Sequence, residues 1–289
     1  MKQPTALITD STADIPPVLL GELGVRVVPV RFAFDEESFL DGEMDAADFY
    51  SRLAGSPHAP RTFGVSEAAF REAFSAALES ADSVLCMVTP FDVSPTFTTA
   101  SAAMLSMDDV DIKILNPGVA SAGLCSLLIA LAPLAAHGRR RADIIAALDT
   151  VEPQCDTLFV PADVSWLQRA GRIPLIEDRL GPIGEGTPVV RVGTRITGVA
   201  LEASRDAAIT RAVQLAASRA DPGQGLIFTV SHANDPQGAA EVANALRRRW
   251  TVDRLVVTEL SSTLGAQLGP GAVGIGVAPA SEVTGGSDA

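Results

Sequence analysis

Short apolar runs alternate with longer segments of helical period along most of this chain, and that alternation restricts it to few architectures. Residues 5–9 (Thr-Ala-Leu-Ile-Thr), 25–34, 83–89 and 110–115 read as strands, and 83–89 is continuously apolar, as expected of a strand covered on both faces. Between and after them, helices are expected at 46–53, from Ser66 as an N-cap with Ala69, Phe70, Phe74, Ala77 and Leu78 on one face, at 94–104, and at 120–136 as a long buried helix. Strand and helix in alternation predict an α/β fold with a mostly parallel sheet.

Composition shifts near Val160, where a helical stretch at 163–169 gives way to a segment rich in glycine and proline at 181–188. Two short strands follow, around 189–190 and 196–201. The alternation then resumes with helix 206–219, strand 226–230, helix 237–250, strand 255–259 and a last short apolar strand after a stretch with five glycines at 265–276. The expectation is two α/β domains, residues 1–160 and 161–280, with the mostly parallel sheet in the N-terminal one and a frayed tail at 281–289.

A chain of 289 residues with 47% apolar and 20% charged residues has the makings of a well-buried core. Its net charge of −13 argues against nucleic acid as a partner, because phosphate neutralisation needs clustered cations. Cys86, Cys125 and Cys155 lie singly in apolar stretches, and His58, His137 and His232 are scattered. Neither set has metal-ligand spacing, so no metal site and no cofactor are expected, and reduced buried thiols fit a cytoplasmic protein. The start of the chain lacks the form of a signal peptide, and the longest apolar run, 124–136, is too short to cross a bilayer.

Two hydroxyl clusters carry the chemistry. Thr62-Phe63-Gly64-Val65-Ser66 and Val93-Ser94-Pro95-Thr96 each precede a helix, where hydroxyls and unpaired N–H groups can hold an anionic oxygen. Each cluster alone would also serve as a helix cap. Asp10-Ser11-Thr12-Ala13-Asp14 stands at a strand end, where α/β proteins keep ligands. An aspartyl-phosphate loop would need a second aspartate where Thr12 stands, and capping accounts for Ser11 and Asp14 equally well. Arg172 suits either an anion or the carbonyls of a helix end, and Gly269-Pro270-Gly271 either a plain turn or a close backbone approach. Gln267 can donate a hydrogen bond to an anion but cannot transfer a proton near neutral pH. No nucleophile–histidine–acid order, phosphate-binding glycine loop or dinucleotide fingerprint is present, so no catalytic residue is expected.

In this order and spacing, Thr9-Asp10-Ser11-Thr12-Ala13-Asp14-Ile15-Pro16, Thr62 to Ser66, Ser94-Pro95-Thr96, Trp166-Leu167 through Gly171-Arg172-Ile173, and Gly269-Pro270-Gly271 resemble the DegV family over nearly the whole chain. The resemblance implies a non-catalytic, bacterial lipid-binding protein that holds one long-chain fatty acid in a buried tunnel. It also implies a separate fatty-acid kinase as partner, to which the carboxylate is presented for acyl-phosphate formation and phospholipid synthesis. The family's carboxylate-binding threonine and serine fall on Thr62 and Ser94, with Arg172, Gln267, Thr96 and Gly269 as head-group neighbours. The sequence departs from the family where Gln267 replaces a histidine, where Phe63-Gly64-Val65 follows the threonine, where Pro95 follows the serine, and where Ala170 replaces a glycine. These changes touch the head-group end and leave the tail end alone. The alternatives are an enzyme acting on an acyl or phosphorylated substrate through the same loops, with Asp10 as base, and a binder of another amphiphilic acid.

Overall fold

The computed structural model describes residues 2–56, 58–90 and 93–280; the expected tail at 281–289 lies outside the described residues. In chain order, β1 (Gln3–Asp10) runs through a 3-10 turn to α1 (Pro17–Leu23), followed by β2 (Val25–Val28), β3 (Arg31–Phe34), β4 (Glu37–Leu40), α2 (Ala46–Gly55) and β5 (Arg61–Gly64). Next come α3 (Glu67–Ser80), β6 (Ala81–Met87), α4 (Thr96–Leu105), β7 (Ile112–Leu115), α5 (Ser121–Ala136), α6 (Arg141–Val151) and β8 (Asp156–Val160). The remainder is α7 (Val164–Arg169), α8 (Ile173–Leu180), β9 (Thr187–Val192), β10 (Ile196–Glu202), α9 (Arg205–Leu215), β11 (Leu226–His232), α10 (Pro236–Arg249), β12 (Val252–Glu259), α11 (Ser262–Leu268) and β13 (Val273–Pro279).

Four strands in the order β2-β1-β6-β7 form an all-parallel sheet. A six-stranded sheet, β10-β9-β8-β13-β11-β12, is antiparallel except for β11 with β12. Strand β8 therefore joins the sheet built by the C-terminal half. Helix α5 packs between the two sheets, with Leu7, Leu85 and Met87 from one and Ile227 and Ala278 from the other in a single apolar layer around it. Polar sites are nearly absent from its sequence, as a helix buried on every side requires. Its contact with β13 is backbone-close: Gly276 faces Ala122 and Gly123, and Gly123 in turn faces Thr157.

The stretch 25–34 is two strands in two sheets, where one strand was expected. Pro29 has no N–H to give to a ladder, so β2 ends at Val28 and β3 starts a new, antiparallel sheet, β4-β3-β5. That small sheet includes Glu37–Leu40, for which no strand was expected, and Thr62, which sits inside β5 opposite Phe32. Its Phe32 stacks on Phe39 and meets Phe49 of α2 edge-on, with Phe34 tilted against Phe49, over an apolar cluster that also takes in Phe159, Ile176 and Leu268.

Candidate functional site

The carboxyl ends of the neighbouring parallel strands β1 and β6 deliver Thr12 and Thr89 to one cavity. The lining also includes Thr62 and Gly64 of β5, Val93, Ser94 and Pro95 ahead of α4, Arg172, and Thr263, Leu264 and Gln267 of α11. Residues 32 positions apart, Thr62 and Ser94, are thus brought together, and stretches about 80 and about 170 residues beyond Ser94 line the same cavity. The cavity volume is about 70 Å³. That is head-group size; drug-sized ligands occupy roughly 300–1,000 Å³.

Each wall has a local cause. Gly64 takes φ +68°, and a Cβ there would stand 3.2 Å from both Pro95 Cγ and Thr96 Oγ1, so glycine lets β5 approach the second hydroxyl cluster. Ser94 Oγ accepts from Thr96 N at 3.3 Å and shares a 2.8 Å hydrogen bond with Thr96 Oγ1, which pins the loop before α4. Gly171, at φ +68°, ends α7 and lets Arg172 N donate back to Leu167 O at 2.8 Å, so the helix end fixes where the arginine starts.

Among the described residues, Arg172 is the one cation on the lining. Its Nε donates to Gln267 Oε1 at 3.0 Å, and Gln267 Nε2 donates to Thr263 O at 3.3 Å. Among the described residues Arg172 has no ion-pair partner, although it is half-buried and desolvation lowers its pKa. An arginine remains charged through such a shift, so its remaining N–H groups are free for an anion. Hydroxyls at Thr62 and Ser94 with that guanidinium can hold a carboxylate or a phosphoryl oxygen.

Thr96 and Gly269 stand outside the lining. Thr96 is fully buried and supports Ser94, while a Cβ on Gly269 (φ +81°) would fall 2.3 Å from the Trp166 ring, so that glycine serves helix packing. Asp10 also stands behind the wall. Its carboxyl caps the 3-10 turn by accepting from Thr12 N at 2.9 Å, is wholly buried, and is pushed above the usual carboxylate range by desolvation. Thr12, Thr89 and Thr263 were not singled out as site residues from sequence; the end of a parallel strand was the available signal for the first two. Among the described residues no cluster of metal-ligating side chains exists, and no helix is long and apolar enough to cross a membrane.

The family model for DegV proteins matches residues 4–280. The chain belongs to the DegV family. A DegV domain-containing protein of Halalkalibacterium halodurans is 28% identical over 93% of this chain and 96% of its own. Among solved structures, a DegV family protein from Thermus thermophilus described for its fatty acid binding superposes with a TM-score of 0.87 at 23% identity, over 96% of this chain and 99% of that one. DegV of Bacillus subtilis, described as a fatty acid binding protein, gives 0.86 at 24% identity, over 96% and 100%. At such identities these two likenesses establish the shared mixed α/β fold.

Proposed function

We propose that this DegV family chain binds one long-chain fatty acid, holding its carboxylate with Thr62 and Ser94 beside Arg172 and Gln267, and presents it to a separate fatty-acid kinase. The observation that carries the reading is the unpaired guanidinium of Arg172 in a small cavity shared with the two hydroxyls. The fatty-acid-binding DegV proteins of the same fold support the choice of ligand. Thr62 is exposed where the cavity meets the surface, which suits a carboxylate that a second protein must reach. The acidic surface charge of the chain suits docking to a basic face of that partner.

The tail belongs in the apolar cluster. Ala120, Val93 and Leu264 are common to the cavity wall and to the cluster around Phe32, Phe49 and Phe159. The cavity itself is too small for an acyl chain, so binding requires those side chains to part. Burial of each methylene contributes about 0.8 kcal/mol, and a hydrogen bond to a charged carboxylate about 1.5–3 kcal/mol. The tail therefore supplies most of the affinity and the hydroxyls set which end faces outward.

Thr62→Val combined with Ser94→Ala tests the assignment. Loss of two carboxylate bonds is expected to weaken palmitate or oleate binding about a hundredfold or more in a chain that still folds, with a modestly lower melting temperature because Ser94 gives up its bonds to Thr96. Unchanged affinity in a folded double variant refutes the head-group assignment. Acyl-phosphate formation by a fatty-acid kinase supplied with the loaded protein tests the presentation step.

A further inference from the structure

Behind the cavity wall lies a chain of hydrogen bonds that the carboxylate assignment does not use. Thr12 Oγ1 is hydrogen-bonded to Asp10 Oδ1 and, at 2.5 Å, to Thr89 Oγ1. Asp10 Oδ1 also accepts from Thr12 N at 2.9 Å and Oδ2 from Thr89 N at 3.3 Å. Thr12 and Thr89, both buried, reach the cavity; Asp10, wholly buried, does not.

Each hydroxyl has a single hydrogen, so the direction of the chain is set at its inner end. With Asp10 ionised, Thr12 gives its hydrogen to the carboxylate and Thr89 gives its own to Thr12, which leaves lone pairs facing the cavity. With Asp10 as the neutral acid, the acid donates to Thr12, Thr12 donates to Thr89, and the Thr89 O–H is turned toward the cavity. Only the second arrangement favours an anion there. We infer that Asp10 is a positioning residue for the ligand's carboxylate, acting through Thr12 and Thr89 so that anion binding is coupled to uptake of one proton from solvent by Asp10. The inference rests on the fatty-acid reading above and extends it from Thr62 and Ser94 to Thr12 and Thr89 of the same lining.

The surroundings of Asp10 fit this role. The groups facing it are Asp41 from beyond β4 and Cys86 on β6, and Asp41 disfavours its ionised form. Among the described residues it has no ion-pair partner. Desolvation holds its pKa up, against the hydrogen bonds from Thr12 and Thr89, which lower it. The cation of the site, Arg172, is not among the groups that shift Asp10.

The test is calorimetric titration of the full chain with monomeric dodecanoate from about pH 6 to about pH 9, in buffers of different ionisation enthalpy, for the native protein, Thr89→Val and Thr89→Ser. For the native protein, affinity is expected to fall as pH rises past the ionisation of Asp10, approaching about tenfold per pH unit, with uptake of up to one proton. Thr89→Val is expected to bind about tenfold more weakly at the acidic end and to lose both the slope and the proton uptake. Thr89→Ser restores all three, which a purely structural role for the threonine would not predict. A native protein that binds with a flat profile and no proton uptake overturns the inference and leaves the fatty-acid reading standing, as does Thr89→Val with a native profile. A native protein that binds no fatty acid at any pH overturns both.

Discussion

Replacing Asp14 by asparagine is expected to flatten the dependence of stability on pH and to stabilise the protein above neutrality. Asp14 is buried where the N-terminal half meets α5 and the start of α11; it accepts from Ser121 Oγ and, at 2.8 Å, from Ser261 N. Desolvation, with a smaller contribution from Asp41, raises its pKa from 3.8 to about 8. The unfolded chain releases this proton near pH 3.8, and the folded chain keeps it until about pH 8. Across that window the unfolded state binds fewer protons, so stability is full below the lower value and declines as pH rises, by about 1.4 kcal/mol per unit. Between pH 5 and pH 8 the decline from this one group reaches roughly 4 kcal/mol at most. An amide has an oxygen for Ser261 N and an N–H for Ser121 Oγ, and it does not ionise. Urea unfolding at pH 5 and pH 8 measures the effect: the variant should lose less stability over the interval than the native chain, by up to that amount. Asp10 contributes a slope of the same sign in both proteins, so the decline shrinks without vanishing. Equal slopes in the two proteins, or a variant less stable than the native one at pH 8, would refute the reasoning.

Two further substitutions probe the scaffold. Gly276→Ala would place a Cβ 1.9 Å from the Ala122 carbonyl carbon and 2.2 Å from Gly123 N, and backbone on both sides leaves no cheap relaxation. A loss of at least about 3 kcal/mol in chemical denaturation is expected, and a near-native midpoint would disprove the close α5–β13 contact. Tyr50→Phe removes a buried hydroxyl that has no hydrogen-bond partner among the described residues and abuts Gly265. Stability should be unchanged or higher by about 1 kcal/mol; a loss above about 1 kcal/mol would show that the hydroxyl is bonded.

The parallel sheet was legible because its strands are apolar runs and its helices keep one apolar face, a signal that both layers reinforce. Helix α5 was recognisable for the opposite reason: apolar residues all round mark burial on every side. The three-stranded sheet was not legible. Pro29 splits an alternating run that otherwise reads as one strand, and Glu37–Leu40 pairs along an edge where charge signals solvent. Thr62 and Ser94 were readable as helix-flanking hydroxyls, yet their meeting depends on the positive φ of Gly64 and on a strand whose existence the sequence hid. Arg172 was ambiguous between an anion and a helix end. Its backbone N–H goes to Leu167 O of α7, whereas its guanidinium has, among the described residues, no ion pair and only Gln267, whose own partner is the backbone of α11.

That last connection explains why the site needs the whole chain. Thr12, Thr62, Thr89 and Ser94 come from the first 94 residues, whereas Arg172, Thr263 and Gln267 come from beyond residue 171. The join between the two sets is held by backbone and carboxylate: Asp14 takes Ser261 N, and Asp41 takes Ser262 N at 2.9 Å, so two acids of the N-terminal half fix the first turn of α11. Asp14 and Ser121 both occupy the left-handed region, at φ 53° and 49°, at this junction. Acids with raised pKa values and strained backbone concentrate where the cavity is assembled, at a cost in stability that a purely structural junction would not require. Apolar residues at Asp10 and Asp14 would pack more cheaply. Their presence follows if the inner wall must offer hydrogen-bond donors to an anion while α11 is held in place to offer Gln267 and position Arg172.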